Sequence, residues 1–376
     1  YNYIYGGILL KKSKKIVRLI VVILVICIGF IFIFKSKYSN DVTIKKWDNI
    51  YNESNIKFFY GEKDDEKIKI LKDMYSIEEK LEGEKDKVKK AIKISEILNE
   101  IITFDDVPNT KGINGFDILK EKNGAKKASA RDLGIIYRDF LESVGYTARL
   151  GEFRRTDAKL SKQSSYYIVE FWSKEANKWI MIDFIDRGYF DKEGFPCSAL
   201  ELLDGDIRNL NYTGKSDRSD YIPMLKKSLY TYTISIDNTT DMQKSNSYIT
   251  YIKNESDITF KFKGSYIVPT IFTQNKDLIN KNPIDTLVSS DEKAYLVLMK
   301  KQEKTSLENE QENSSFVVGA FKDGKIMDEY YIKEKDSGFR KVKKYSDILL
   351  TKGDNLIELS IDGENVVSSI EIDYKK

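Results

Sequence analysis

Two stretches decide how this chain reads. They are Ser129–Leu150, SARDLGIIYRDFLESVGYTARL, and Tyr166–Phe184, YYIVEFWSKEANKWIMIDF. In the first, Ala130, Leu133, Ile136, Tyr137, Phe140, Leu141 and Val144 recur at helical spacing, which predicts an amphipathic helix with one buried stripe. Ser129 followed three residues later by Asp132 reads as a capping box, so Ala130 is the first helical residue, at the positive end of the helix dipole. The second stretch holds two strand-like runs, Tyr166–Trp172 and Lys178–Phe184, after a third at Ala148–Phe153. Taken alone, Leu133–Val144 reads more readily as an ordinary buried helix packed on a sheet, with no site attached.

The order and spacing of the two stretches resemble the transglutaminase-like superfamily, which shares the papain-like Cys-His-Asp arrangement. Gly145-Tyr146-Thr147-Ala148-Arg149 is similar to the family's "GIPAR" turn, Glu170 to the glutamate of its "HxxxE" strand, and Trp179 with Asp183 to its "WxxxD" strand. The resemblance covers residues 94–203. Phe116–Leu119 resembles the segment before the family's nucleophile, and Pro196–Leu203 the segment after its last strand. Carried over by position, Ala130 stands where the family has its cysteine and Tyr166 where it has its histidine, and the chain contains no histidine. The expectation is a catalytically inactive member whose remnant triad is Ala130, Tyr166 and Asp183, with Trp172 and Trp179 lining a binding cleft.

The chemistry of these residues agrees with that expectation. A cysteine at a helix N-terminus has its thiolate stabilised, whereas alanine offers neither a lone pair nor an acidic proton. A tyrosine titrating near 10 is a poor general base at neutral pH, and an aspartate that orients a base cannot replace it. Ser129 is accounted for by capping, and Cys197 reads as a structural thiol.

Ile16–Phe34, IVRLIVVILVICIGFIFIF, is a nearly unbroken apolar run, and such a run of about 20 residues can cross a bilayer. Lys11, Lys12, Lys14, Lys15 and Arg18 precede it, so the N-terminus is expected in the cytoplasm and the rest outside. A cleaved signal peptide is the competing reading, disfavoured because Phe30–Phe34 offers no small-residue cleavage site. The chain begins with Tyr, so a start upstream is expected; heavy use of Lys, Ile and Asn suggests an AT-rich bacterial genome. Nine of the 62 basic side chains but one of the 59 acidic ones fall within residues 1–46, leaving a mildly acidic remainder unsuited to nucleic acid. Two cysteines and no histidine provide neither a disulfide framework nor a zinc site, and no cofactor is expected.

Helices are expected over 65–81 and 86–102. After Pro223 the pattern turns to period-two runs: 230–236, 247–252, 258–262, 294–299, 316–321, 328–332, and a hairpin of 356–361 with 366–374. Lys300–Ser315 reads as a solvated loop. The expected fold class is α+β: a cytoplasmic tail over 1–15, a transmembrane helix over 16–34, a stalk over 35–55, a transglutaminase-like domain over 56–225, and an all-β sandwich over 228–376. Three functions compete: a binding or scaffolding pseudoenzyme, with a cell-wall peptide or surface protein as ligand; an enzyme using Asp183 or Glu170 as base; and a purely structural surface protein.

Overall fold

Short polar side chains start the helices. Asp65 caps Glu66–Met74, Asp86 caps Lys87–Ile101, Asn114 caps Gly115–Lys122 and Ser129 caps Ala130–Ser143, each accepting a bond from a free amide of the first turn. The computed structural model describes residues 42–155, 165–254, 268–285, 289–299, 315–335 and 337–375. The expected span 16–34 and the runs 258–262 and 300–314 lie outside them. Among the described residues no helix is long and apolar enough to cross a membrane.

Two expectations about the Ala130–Ser143 helix need correction. Ser129 Oγ accepts the Asp132 amide at 3.1 Å, but the Asp132 carboxylate does not return to the cap. It takes the Thr110 amide at 2.9 Å and Arg131 Nη1 at 3.1 Å instead. The helix is also buried on every side from Asp132 to Ser143 rather than along one stripe. Three helices cover the side away from the sheet, so polar residues that look solvent-facing in the sequence are enclosed.

The sheet beneath it has six strands, in the order Thr270–Thr273, Tyr248–Tyr251, Thr231–Ser235, Ala148–Arg154, Ser165–Ser173, Lys178–Ile182. Alternation divides its two faces. Val169, Phe171, Ile180 and Ile182 pack with Leu133, Ile136 and Tyr137 of the helix, whereas Ile168 and Met181 join a second core with Leu200 and Leu225. The expected boundary between 225 and 228 is crossed: Thr231–Ser235 pairs with Ala148–Arg154, Tyr232 opposite Phe153. Strand 148–154 needed a partner on its second side, and period-two patterning cannot say which sheet a strand joins.

Nine further strands form two facing sheets. Val42–Trp47, Val366–Tyr374, Gly353–Ser360, Glu329–Glu334 and Arg340–Lys343 make one; Tyr295–Met299, Ser315–Lys322, Lys325–Ile326 and Tyr345–Leu349 make the other. Trp47, Leu296, Phe316, Tyr330, Ile357 and Ile370 share the core between them. The expected stalk is therefore corrected over 42–55. Val42–Trp47 pairs with Val366–Tyr374, Ile44 opposite Ile372, and Tyr51 is fully buried.

Candidate functional site

Asp183 follows the last strand of the six-stranded sheet, where its backbone exchanges two hydrogen bonds with Gly188. Its Oδ1 accepts the amides of Ile185 at 3.0 Å and Asp186 at 2.9 Å, a local turn of the kind short carboxylates favour. Its Oδ2 accepts the phenols of both Tyr166 and Tyr221, whose oxygens stand 3.3 Å apart. The carboxylate is fully buried. Burial raises its proton affinity above the usual aspartate range, and the amide and phenol donors oppose that rise. Burial first, and the charge of Asp183 next, push Tyr166 and Tyr221 well above an ordinary phenol. Both therefore hold their protons at neutral pH and act as donors to the carboxylate.

A second layer supports this cluster. Tyr212 stacks on Tyr221 with ring centres 4.1 Å apart and planes 7° from parallel, and it donates its phenol to Asp186 Oδ2. Ser216 donates its hydroxyl to Asp186 Oδ1 at 2.5 Å and its amide to the same carboxylate at 3.1 Å. Sequence reasoning missed Tyr212, Tyr221 and Asp186. The available signal was the aromatic and acidic content of residues 186–221, most of which lies beyond or at the edge of the resemblance.

The expected site is assembled in part. Tyr166 and Asp183 meet across neighbouring strands. Ala130 is the first residue of its helix and half-buried, presenting a methyl group at the positive end of the dipole. That helix packs on the Val169–Phe171 face, while Tyr166 packs with the core on the Ile168–Met181 face. Tyr166 and the body of the helix thus belong to different cores, while Asp183 lies near enough to Tyr137 of that helix to add to burial in raising its phenol.

Both tryptophans are buried, and Trp179 is an interior residue rather than a cleft one. Trp179 is fully buried, Trp172 is 6% exposed, and their rings meet edge-on at 5.5 Å. The Arg149 guanidinium lies 4.0 Å above the Trp179 ring. Arg149 donates from Nε to Glu170 Oε2 at 2.9 Å and from Nη2 at 2.5 Å. Glu170 also accepts Tyr232 Oη at 2.7 Å and the Ala199 amide at 2.8 Å, so every one of its strong contacts is internal. Trp172 does border an open surface groove, with Lys72, Glu82, Lys90, Tyr146 and Lys174, beside the turn that ends the helix rather than beside Ala130. Among the described residues no three Cys, Asp or Glu side chains converge as metal ligands.

No protein-family model and no curated protein matches the chain. Solved structures similar to it include the following two. One is a protein from Cytophaga hutchinsonii described as a candidate cysteine protease, with 13% identity and a TM-score of 0.27 over 41% of this chain and 49% of that one. The other is red sea bream transglutaminase, with 10% identity and a TM-score of 0.28 over 91% of this chain and 78% of that one. Both likenesses are distant. The chain spans about half the length of the first.

Proposed function

We propose that this is a membrane-anchored extracellular protein of transglutaminase-like descent that works by binding or scaffolding at the cell surface, without catalysis. The observation that carries the reading is the state of Asp183. Two amides and two phenols occupy its oxygens, and the side chain is sealed from solvent. A carboxylate so engaged neither orients an imidazole nor takes a proton from water. Ala130 adds that no nucleophile stands at the helix start. The apolar run 16–34 and the cations before it support the anchor and its orientation. A cell-wall peptide or another surface protein is the ligand class that this location suggests.

The competing enzyme reading would need Asp183 or Glu170 as base on a bound water. Both are enclosed by their own donors, which disfavours it. The test is an amine-incorporation assay and a peptide-hydrolysis assay on the purified chain beside its Asp183→Asn variant. Rates equal to buffer for both proteins are expected. Turnover by the wild type that disappears in Asp183→Asn would overturn the proposal. Deleting residues 16–34 should move the chain from the membrane fraction into the soluble fraction, and retention in the membrane would remove the anchor.

A further inference from the structure

Three buried ionisable side chains of this helix lie together, apart from the Asp183 cluster. Arg138, Asp139 and Glu142 are 3%, 0% and 0% exposed. Arg138 is committed to Asp139, donating to Oδ1 from Nε at 2.9 Å and from Nη2 at 2.7 Å, while Oδ2 accepts the Gly115 amide at 2.6 Å. Glu142 is less well served. Its Oε1 accepts the Gly61 amide at 3.2 Å, and its Oε2 is buried with no hydrogen-bond partner. The guanidinium Nε of Arg138 stands 4.0 Å from Oε2.

Gly61 belongs to the segment by which the chain enters this layer. Ile56 and Phe58 are buried there, and Phe59–Tyr60 pairs in parallel with Asp237–Asn238. The Gly61 backbone lies directly against the Glu142 carboxyl: a Cβ added there would sit 2.2 Å from Oε2. The charged groups facing this space are Arg138 and Asp139 from the helix, Asp65 from the turn after the entry segment, and Asp237 from the strand beside it. One guanidinium thus answers several carboxylates, and an uncompensated charge in such a place costs several kcal/mol.

We propose that Glu142 is kept as a neutral carboxylic acid in the folded chain, and that its neutrality acts as a clasp, letting the entry segment at Gly61 close over the buried carboxyl of the central helix. The two bonds from Arg138 keep Asp139 the ionised member of the pair, and the orphan oxygen of Glu142 takes the proton. Burial is the largest influence raising the Glu142 carboxyl, with Asp139 and Asp65 acting the same way against Arg138 and the Gly61 amide. Because the folded value is raised, the clasp contributes fully below the ordinary glutamate range near about 4.3. Its contribution declines as pH rises toward the folded value. Ionisation strengthens the Gly61 amide bond itself, but hydrating the buried charge gains more, so the Gly61 segment that lies against the carboxyl is the part that opens.

The experiment is hydrogen exchange at Gly61 and its neighbours in the intact chain between about pH 6 and about pH 9, corrected for intrinsic exchange, in wild type and Glu142→Gln. One proton changes the opening equilibrium at most about tenfold per pH unit. A pH-dependent opening at Gly61 is expected in the wild type, and less than about a twofold change over that whole range in Glu142→Gln. Equal pH dependence in the two proteins would overturn the proposal. If Glu142→Gln does not fold, infrared spectroscopy of wild type carrying isotope-labelled glutamate decides: a protonated glutamate carboxyl band at pH 7 is expected, and its absence refutes the clasp.

Discussion

Tyr166 donates its phenolic proton to Asp183 from the neighbouring strand, and the acceptor is a carboxylate with no exposure to solvent. Tyr221 donates to the same oxygen from a separate helix, so this one atom ties the end of the sheet to the segment 218–226. Removing one phenol leaves the oxygen with one donor, and removing both leaves it with none. Tyr166→Phe and Tyr221→Phe should each cost about 1–2 kcal/mol by urea unfolding, and the double variant more than their sum. Strict additivity would mean that the two phenols do not share the carboxylate.

The pH behaviour of the same cluster has a definite sign. Burial raises Asp183 in the folded state, so its contribution to stability is complete below the usual aspartate value and declines as pH rises toward the folded one. Removing both phenols takes away groups that favour the ionised form, which raises that carboxyl further. Urea midpoints measured from about pH 4 upward should therefore fall more steeply in the double Phe variant than in wild type. A shallower fall would show that the phenols are not donors.

Ala130→Cys should fold at wild-type stability, because the position is half-buried and begins a capped helix. The new thiol should ionise more readily than a free cysteine, through the helix dipole, yet turn over no activated ester beyond a single acylation per thiol. Adding Tyr166→His should not generate turnover either, since Tyr166 packs with a different core from the helix. Sustained ester turnover by the double variant, absent from Ala130→Cys alone, would place the two positions in one working site.

Cys197 offers a probe of the same half of the molecule. It is 3% exposed, and burial pushes its thiol up to about 11, with Glu201 acting in the same direction. In a Cys27→Ser background its reaction with a disulfide reagent at neutral pH should track global unfolding rather than thiolate fraction. Rapid labelling of the native chain would mean that the turn around Phe195 opens locally.

Much of this architecture was legible in the sequence. The periodicities located the helix after Ser129, the three strands around Glu170 and the closing hairpin. What failed depended on partners far away in the chain. Val42–Trp47 looked like a stalk because its partner, Val366–Tyr374, lies more than three hundred residues on. Thr231–Ser235 looked like the start of a new domain because alternation is the same in any half-buried sheet. Asp183 was visible, but the phenol of Tyr221 and the stack on Tyr212 follow from how residues 211–226 fold back, which no local pattern encodes. Trp179 was assigned to a cleft from its place in a motif, whereas Arg149 covers it.

The Arg149–Glu170 pair gives the sharpest test of what holds that region together. Both side chains are 1% exposed. Arg149 also donates to the Ile279 carbonyl at 2.8 Å, which fixes the segment 276–281 against the sheet. Truncating either partner alone strands a buried charge, so Arg149→Met and Glu170→Leu should each cost about 3–5 kcal/mol. The double variant should cost clearly less than the sum, because apolar groups of similar size replace the whole pair. Arg149→Lys should recover little, since an ammonium cannot reach Glu170, the Ile279 carbonyl and the Trp179 face together. Denaturant midpoints for the four variants decide it. Full recovery by Lys would reduce Arg149 to a point charge, and the planar stack on Trp179 would then add nothing.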